Sequence, residues 1–296
     1  MAALADDWDH QRQQCIDVLC AYLRLPYDPT SGALKEAITE RTWPTADVSN
    51  RESKTHAYLP NDREVRMAII SVLRSHLHES ARVPWIGYDL NLSGAVFDGG
   101  DFTGARFDAR RVSFAGAHFV GGTIQFDSVK FVGEVDFSGA QFVGGSVSFK
   151  DATFDQNSFV PFYSAEFRGG EITFGSASVE GTVAFDDCTF AGSSLLLGMR
   201  ISAGSVTFNE SRFERGDLLF RGAEISGGSI TFTRAEFGPD STVSFIGVTP
   251  TGGTVSFDWT KDSVHRSVFV PRTSNPRFTR DGVPFTGRDR PETDGQ

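Results

Sequence analysis

The sequence predicts an all-β solenoid of about seven four-sided turns behind a small α-helical module, and three observations carry that prediction. The first is phenylalanine: the 296 residues hold 27 Phe against 5 Tyr, and 24 of the 27 lie between Phe97 and Phe257. The second is their spacing. Leu92, Phe97, Phe102 and Phe107 recur every five residues, and beyond them the step alternates between about five and about seven, so that one turn takes 22 to 25 residues.

Aligned on that length, the large residues fall into four columns. The first holds Phe114, Phe137, Phe162, Phe185, Phe208, Phe232 and Phe257, and the second Phe119, Phe142, Phe167, Phe190, Phe213 and Phe237. The third holds Phe126, Phe149, Phe174, Leu197, Phe220 and Phe245, and the fourth Phe131, Phe154, Val179, Ile201, Ile225 and Val248. The third observation is that positions two earlier are equally ordered: Val112, Val135, Val160 and their equivalents before the first column, and Ala117, Ala140, Ala165, Cys188, Ser211 and Ala235 before the second. Residues separated by one share a side of an extended chain, so each segment turns a pair inward. A helix does not account for these spacings, which do not track 3.6.

Taken in chain order, residues 1–88 form a different module. Cys15, Ile16, Leu19, Cys20 and Leu23 make a helical stripe that stops before Pro26, and Val65, Ile69, Val72, Leu73 and Leu77 make another after Pro60-Asn61-Asp62. The polar stretch 30–58 between them is expected to be a flexible connection. The helices either cap the first turn of the solenoid or serve as a separate docking piece. Residues 89–260 carry the repeat, with Gly pairs such as Gly121-Gly122, Gly144-Gly145 and Gly169-Gly170 at the longer steps, where corners are needed. From 261 to 296 the chain is rich in Arg, Pro, Thr and Asp, and a polar, poorly ordered tail is expected.

Composition narrows the function classes. With 39% hydrophobic residues and three Cys, a disordered chain and a disulfide scaffold are excluded. No apolar run approaches the length of a membrane helix, and the acidic start MAALADDWD is unlike a secretory signal, so a soluble protein of the bacterial cytoplasm is expected. No metal, nucleophile or phosphate-binding motif stands out, and no cofactor is expected. The three Cys read as core thiols.

Charge concentrates in the solenoid: residues 89–260 hold 21 carboxylates and 11 Lys or Arg, a net of −10, while the segments on either side contribute −2 and +2. The candidate acidic partner surface is Asp186, Asp187, Glu210, Glu214 and Asp217. Asp187 and Glu210 share an outward column on adjacent turns, with Arg234 next in it, and Glu214 and Asp217 lie one side further round. Either a partner or cation sits there, or Arg212, Arg215 and Arg234 neutralise an ordinary acid ladder. Phe159 is the one ring of this stretch that fits no column.

Five-residue units with a large apolar centre and a small residue two before it, as in Ala95-Val96-Phe97 and Ala105-Arg106-Phe107, resemble the pentapeptide-repeat family. The resemblance covers about Leu90 to Phe257 and implies a right-handed quadrilateral β-helix; the seven-residue steps depart from the family pattern and suggest enlarged corners or bulges. The helical stretch from Trp8 to Leu23 looks like the leader of actinobacterial members whose biochemical role is generally unassigned. Some members bind DNA gyrase by imitating duplex DNA, so the resemblance implies a non-enzymatic protein-interaction rod, with a gyrase contact as its specific version. Direct nucleic-acid binding by the acidic rod is disfavoured. The alternative of another class is a β-helix carbohydrate-active enzyme resembling polysaccharide lyases, against which stand the even turn lengths and the absence of an insertion large enough to wall a cleft.

Overall fold

Short strands that each bury an apolar pair need neighbours above and below, and stacking supplies both. The computed structural model describes residues 2–29, 35–39, 54–58, 62–248, 250–260, 267–270, 277–281 and 283–284. Its core is a four-sided β-solenoid of about eight parallel coils. The first face runs from Leu90–Asn91 through Val112–Ser113 and onward to Phe278–Arg280; the fourth runs from Arg106–Asp108 to Glu224–Ile225. The second and third faces are separate strands in the early coils. They fuse from Thr189–Leu196 onward into long strands, whose bulges at the wide corner absorb the seven-residue step.

Register follows the columns. Phe119 pairs with Phe142, Phe142 with Phe167, and Phe131 with Phe154, each one coil apart. Rings in one column stack almost parallel, Phe114 on Phe137 at 4.7 Å and 3°, while rings of the facing first and third columns meet edge to face, Phe126 against Phe137 at 5.9 Å and 88°. Both arrangements suit the aromatic quadrupole. The inward Ser211 is satisfied in place: its fully buried hydroxyl donates to the Phe185 carbonyl at 2.5 Å and accepts the Cys188 N–H at 2.9 Å.

Corners come in two kinds. The tight ones follow the first and third columns, where the carbonyl of the Phe accepts the N–H three residues on, as from Ala117 to Phe114. The intervening third residue takes positive φ, as in a type II turn. The wide corners are steric. A Cβ on Gly204 would come within 1.9 Å of the Gly181 carbonyl oxygen one coil below, so the coils close to ordinary strand spacing, about 4.8 Å, only because the position is bare.

The helical module caps the first coil. Helix α1 is Ala2–Asp7, α2 is Arg12–Leu23 and α3 is Asp62–Leu77. Ile16, Cys20 and Leu23 of α2 and Ile69, Ile70, Leu73 and Leu77 of α3 join the solenoid in one hydrophobic core. Polar contacts close the exposed edge of the first coil on each side. Gln13 acts as a mock strand, its amide donating to the Asp89 carbonyl at 2.9 Å and accepting the Asp89 N–H at 3.0 Å. Arg63 and the Tyr27 hydroxyl both donate to Asp98, Arg74 donates to the Thr103 carbonyl, and Glu79 takes Arg106 and Lys130.

Four expectations change. Val65, placed on the apolar stripe, is 42% exposed, and Arg66 is buried in its stead because it bonds the carbonyls that end α2. Within the connection 30–58, Lys35–Thr39 and Lys54–Tyr58 pair as antiparallel strands, while the rest of that segment lies outside the described residues. The fourth column ends differently: Ile246 is 41% exposed, Val248 bonds the Phe245 carbonyl as Ala223 bonds that of Phe220, and the buried Pro250 takes the inward place of Ile225. Finally, the solenoid continues past Thr260. Val268 and Phe278, both buried, pair with Val243 and Val255 one coil earlier, so the expected poorly ordered tail contributes two rungs; its remainder lies outside the described residues.

Burial pushes the Cys20 thiol up to about 12 and raises that of Cys188 well above the usual range, whereas Cys15 is only half-buried. The native protein is therefore expected to show one thiol that reacts quickly with a disulfide reagent at pH 8, with the other two reacting only on unfolding. Three fast thiols would contradict this packing. No described helix is long and apolar enough to cross a membrane.

Candidate functional site

Because the rings point inward, the surface is written by the residues between them, and each side can be taken as a strand with the corner that follows it. The first side carries seven carboxylates (Asp89, Glu134, Asp136, Asp186, Asp187, Glu210 and Asp258) against Arg111 and Arg234. The second carries five against three, the third five against two, and the fourth four against four. Half of the net charge of the solenoid thus sits on one side, and the opposite balance holds on the fourth, where Arg106 pairs with Asp108 at 2.6 Å and Lys130 with Glu79 at 2.8 Å.

The five sequence-predicted acids are not brought together. Asp186, Asp187 and Glu210 stand on the tight corner of the first side, Glu214 follows the second face, and Asp217 opens the third. Asp186 has a structural task, since its Oδ1 accepts the N–H of Asn209 on the next coil at 2.8 Å, as Asn209 in turn accepts that of Thr233. Asp187 accepts the Ser164 hydroxyl at 2.7 Å, and Glu210 is paired with Arg234 at 2.5 Å. Arg212 pairs with Glu236 at 3.5 Å, not with the corner acids. Glu214 and Asp217 make no ion pair among the described residues.

The positive-φ position of this corner changes residue along the stack. In the first three coils it is Gly94, Gly116 and Gly139, but from the fourth on it is Ser164, Asp187, Glu210, Arg234 and Trp259, all with φ between 54° and 59°. Left-handed backbone costs a non-glycine residue about 1–2 kcal/mol, a cost that Ser128, Asp151 and Ser176 share at the third-column corners.

Sequence reading missed the neighbour of these acids. Phe159, on the strand Phe159–Pro161, and Tyr163, on the corner that follows it, both turn outward, while Val160, Pro161 and Phe162 between them are buried. Phe159 is half-buried and Tyr163 is 38% exposed; their rings form an open V, centroids 6.0 Å apart with 60° between planes. Pro161 has no N–H to give to the coil below, and here the first face breaks into a three-stranded and a seven-stranded sheet, the two coils staying joined by the hydrogen bonds from the Phe159 N–H to the Gly133 carbonyl, from Phe137 to Pro161 and from Gly139 to Tyr163. By register Glu134 lies beside Phe159, and Asp186 lies beside Tyr163 one coil on. Partial burial, and then the Asp186 charge, raise the Tyr163 hydroxyl above its ordinary range. The available signal was the ring that fitted no column.

Since Phe159 lies outside the core, Phe159→Ser is expected to lower the melting temperature by no more than about 3 °C, consistent with a surface change of about 0.5 kcal/mol. A loss above 8 °C in a thermal melt would mean that its ring is packed inward.

Elsewhere, a cavity of about 260 Å³ lies between α3 and the early coils, with Met67, Ile70 and the Arg74–Asp101 pair on its wall, far from these acids in the chain order of the coils. Among the described residues no group of three or more His, Cys, Asp or Glu is placed to hold a metal ion. Comparison of the chain with protein-family models, with curated proteins and with solved structures returns no match.

Proposed function

We propose that this chain is a protein-interaction rod with no chemistry of its own, and that it meets its partner through the first side of the solenoid. The observation that carries this reading is the outward aromatic rung at Phe159–Tyr163, set in a stretch of the first side with Glu134, Asp136, Asp186 and Asp187 and no Lys or Arg. Aromatic rings left outside a core that takes in every column Phe are the usual anchors of a protein interface, and Trp259, 77% exposed, adds a further ring at the last corner of the same side. The small-x-Phe rungs and four faces support a place among pentapeptide-repeat proteins.

A DNA-mimic contact with gyrase is the narrower version. Duplex DNA carries a charge every ~1.7 Å, so eight coils at ~4.8 Å would need on the order of 20 to match it. The first side has a net of five, which favours an ordinary protein contact. A supercoiling assay with purified gyrase decides between them: inhibition or protection at micromolar protein supports mimicry, and no effect removes it. The lyase-like alternative has less support, because carboxylates on different sides converge on no common cleft.

The broader reading is tested by placing a photo-crosslinking residue at Tyr163 and, separately, at Glu224 on the fourth side, in the full chain in its native cells. Discrete adducts from position 163 alone are expected. Equal labelling from both positions, or none from either, would count against a partner on the first side.

A further inference from the structure

Resting on the interaction reading, we propose that the Phe159–Tyr163 ring pair is a receptor for an arginine-bearing segment of the partner protein. Three features of the surface select that chemistry. The rings of Phe159 and Tyr163 make a shallow apolar V, and acids stand at its two ends: Glu134 beside Phe159 and Asp186 beside Tyr163. Residues 134–139, 159–164, 182–187 and 205–210, which make up this side in four successive coils, hold no Lys or Arg; Arg111 lies beside Glu134 one coil below, and Arg234 pairs with Glu210 at the far end. On the neighbouring side, by contrast, Arg168 pairs with Glu166 and Arg212 with Glu236.

A planar cation satisfies both parts of this surface at once. A guanidinium laid on the Tyr163 face gains cation–π attraction, and its N–H fork extends past the ring edge toward a carboxylate one coil, about 4.8 Å, away. An ammonium fits less well, being compact and strongly hydrated, with no flat face to stack. A purely apolar partner would leave the acids facing desolvation without a counterion, and a nucleic acid is repelled by them. Ser164 and Asp187, joined to each other at the corner, border the Tyr163 end.

The probe is a fluorescein-labelled peptide, Gly-Arg-Gly-Arg-Gly-Arg-Gly, titrated with the full-length protein by anisotropy at 150 mM salt, alongside versions with lysine or citrulline in place of arginine. Saturable binding is expected for arginine, at least about fivefold weaker binding for lysine, and none for citrulline. Phe159→Ser combined with Tyr163→Ser is expected to weaken the arginine peptide about tenfold with the thermal melt unchanged. A control pair on the fourth side, Glu180→Gln with Glu224→Gln, removes two charges and is expected to change binding less than twofold. If the fourth-side pair weakens binding as much as the aromatic pair, or if lysine and arginine bind alike, only general acidity is at work and the arginine receptor is overturned. If the peptide fails to bind while Tyr163 still crosslinks a partner, the arginine assignment falls and the interaction rod stands; if both fail, the interaction reading falls with it.

Discussion

Phe185→Asp is expected to abolish the cooperative unfolding transition. Phe185 is fully buried, stacked on Phe162 at 4.7 Å and on Phe208 at 5.0 Å, and met edge-on by Phe174 at 6.0 Å. Truncating such a ring removes about 3–5 kcal/mol. A carboxylate in its place adds the desolvation of a charge, because the nearest groups are rings and methyls that offer no hydrogen bond. The sum approaches the whole stability of an ordinary domain, about 5–15 kcal/mol. Stability in a stack is close to a sum of nearest-neighbour terms, so the defect also cuts the rod in two. Circular dichroism melts should lose their sigmoidal transition, and limited proteolysis should release a fragment that ends near the fourth coil, where the capped N-terminal part stays folded longest. Phe159→Asp is the control at an outward position and should melt like the parent. A cooperative melt of Phe185→Asp within about 5 °C of the parent would show that the first column does not face inward.

Much of the fold was legible because its repeat is written in large side chains. Each column residue has a stacked partner one coil away, so the constraint that builds the solenoid reappears every 22 to 25 residues, and the register could be read without coordinates. It failed where another constraint took over. After the last tight corner, Pro250 rather than Val248 filled the inward position because the five-residue step across that corner was kept, Phe245 to Pro250 as Phe220 to Ile225 one coil earlier. Beyond Thr260, Val268 and Phe278 keep the coil spacing, but the Arg- and Pro-containing stretches between them hid the pattern. The acids were harder still. Outward residues on a parallel stack have no obligatory partner, so nothing in their spacing separated Asp186, which bonds the next coil, from Asp217, which does not. Tyr163 was invisible as a site residue for the same reason, and only its neighbour Phe159 betrayed that rung, by breaking the column rule.

Arg66→Ala is expected to detach the helical cap, and the reason is already in the chain's own chemistry. An α-helix ends with carbonyls that have no intrahelical N–H, and α2 ends against the solenoid where water cannot serve them all. Arg66, 1% exposed on α3, supplies the missing donors: its two terminal nitrogens bond the Leu23 and Leu25 carbonyls, each at 2.8 Å, and its Nε bonds Asp62 at 2.7 Å. The guanidinium also lies 4.2 Å from the centre of the Tyr27 ring, whose hydroxyl reaches Asp98 on the first wide corner at 2.9 Å. One planar cation thus ties α3, the end of α2 and the solenoid together. Removing one member of a buried ionic network typically costs 3–5 kcal/mol, since the groups left behind stay desolvated. Only the cap bears that loss. Hydrogen exchange should therefore accelerate in α2 and α3 while the middle coils keep their protection, and light scattering should reveal association, because the uncovered first coil presents unpaired strand edges over a Phe-rich core. Arg66→Lys retains the charge without the fork and should fall between the two. Exchange rates in α2 unchanged by Arg66→Ala would mean that the apolar stripe holds the cap alone.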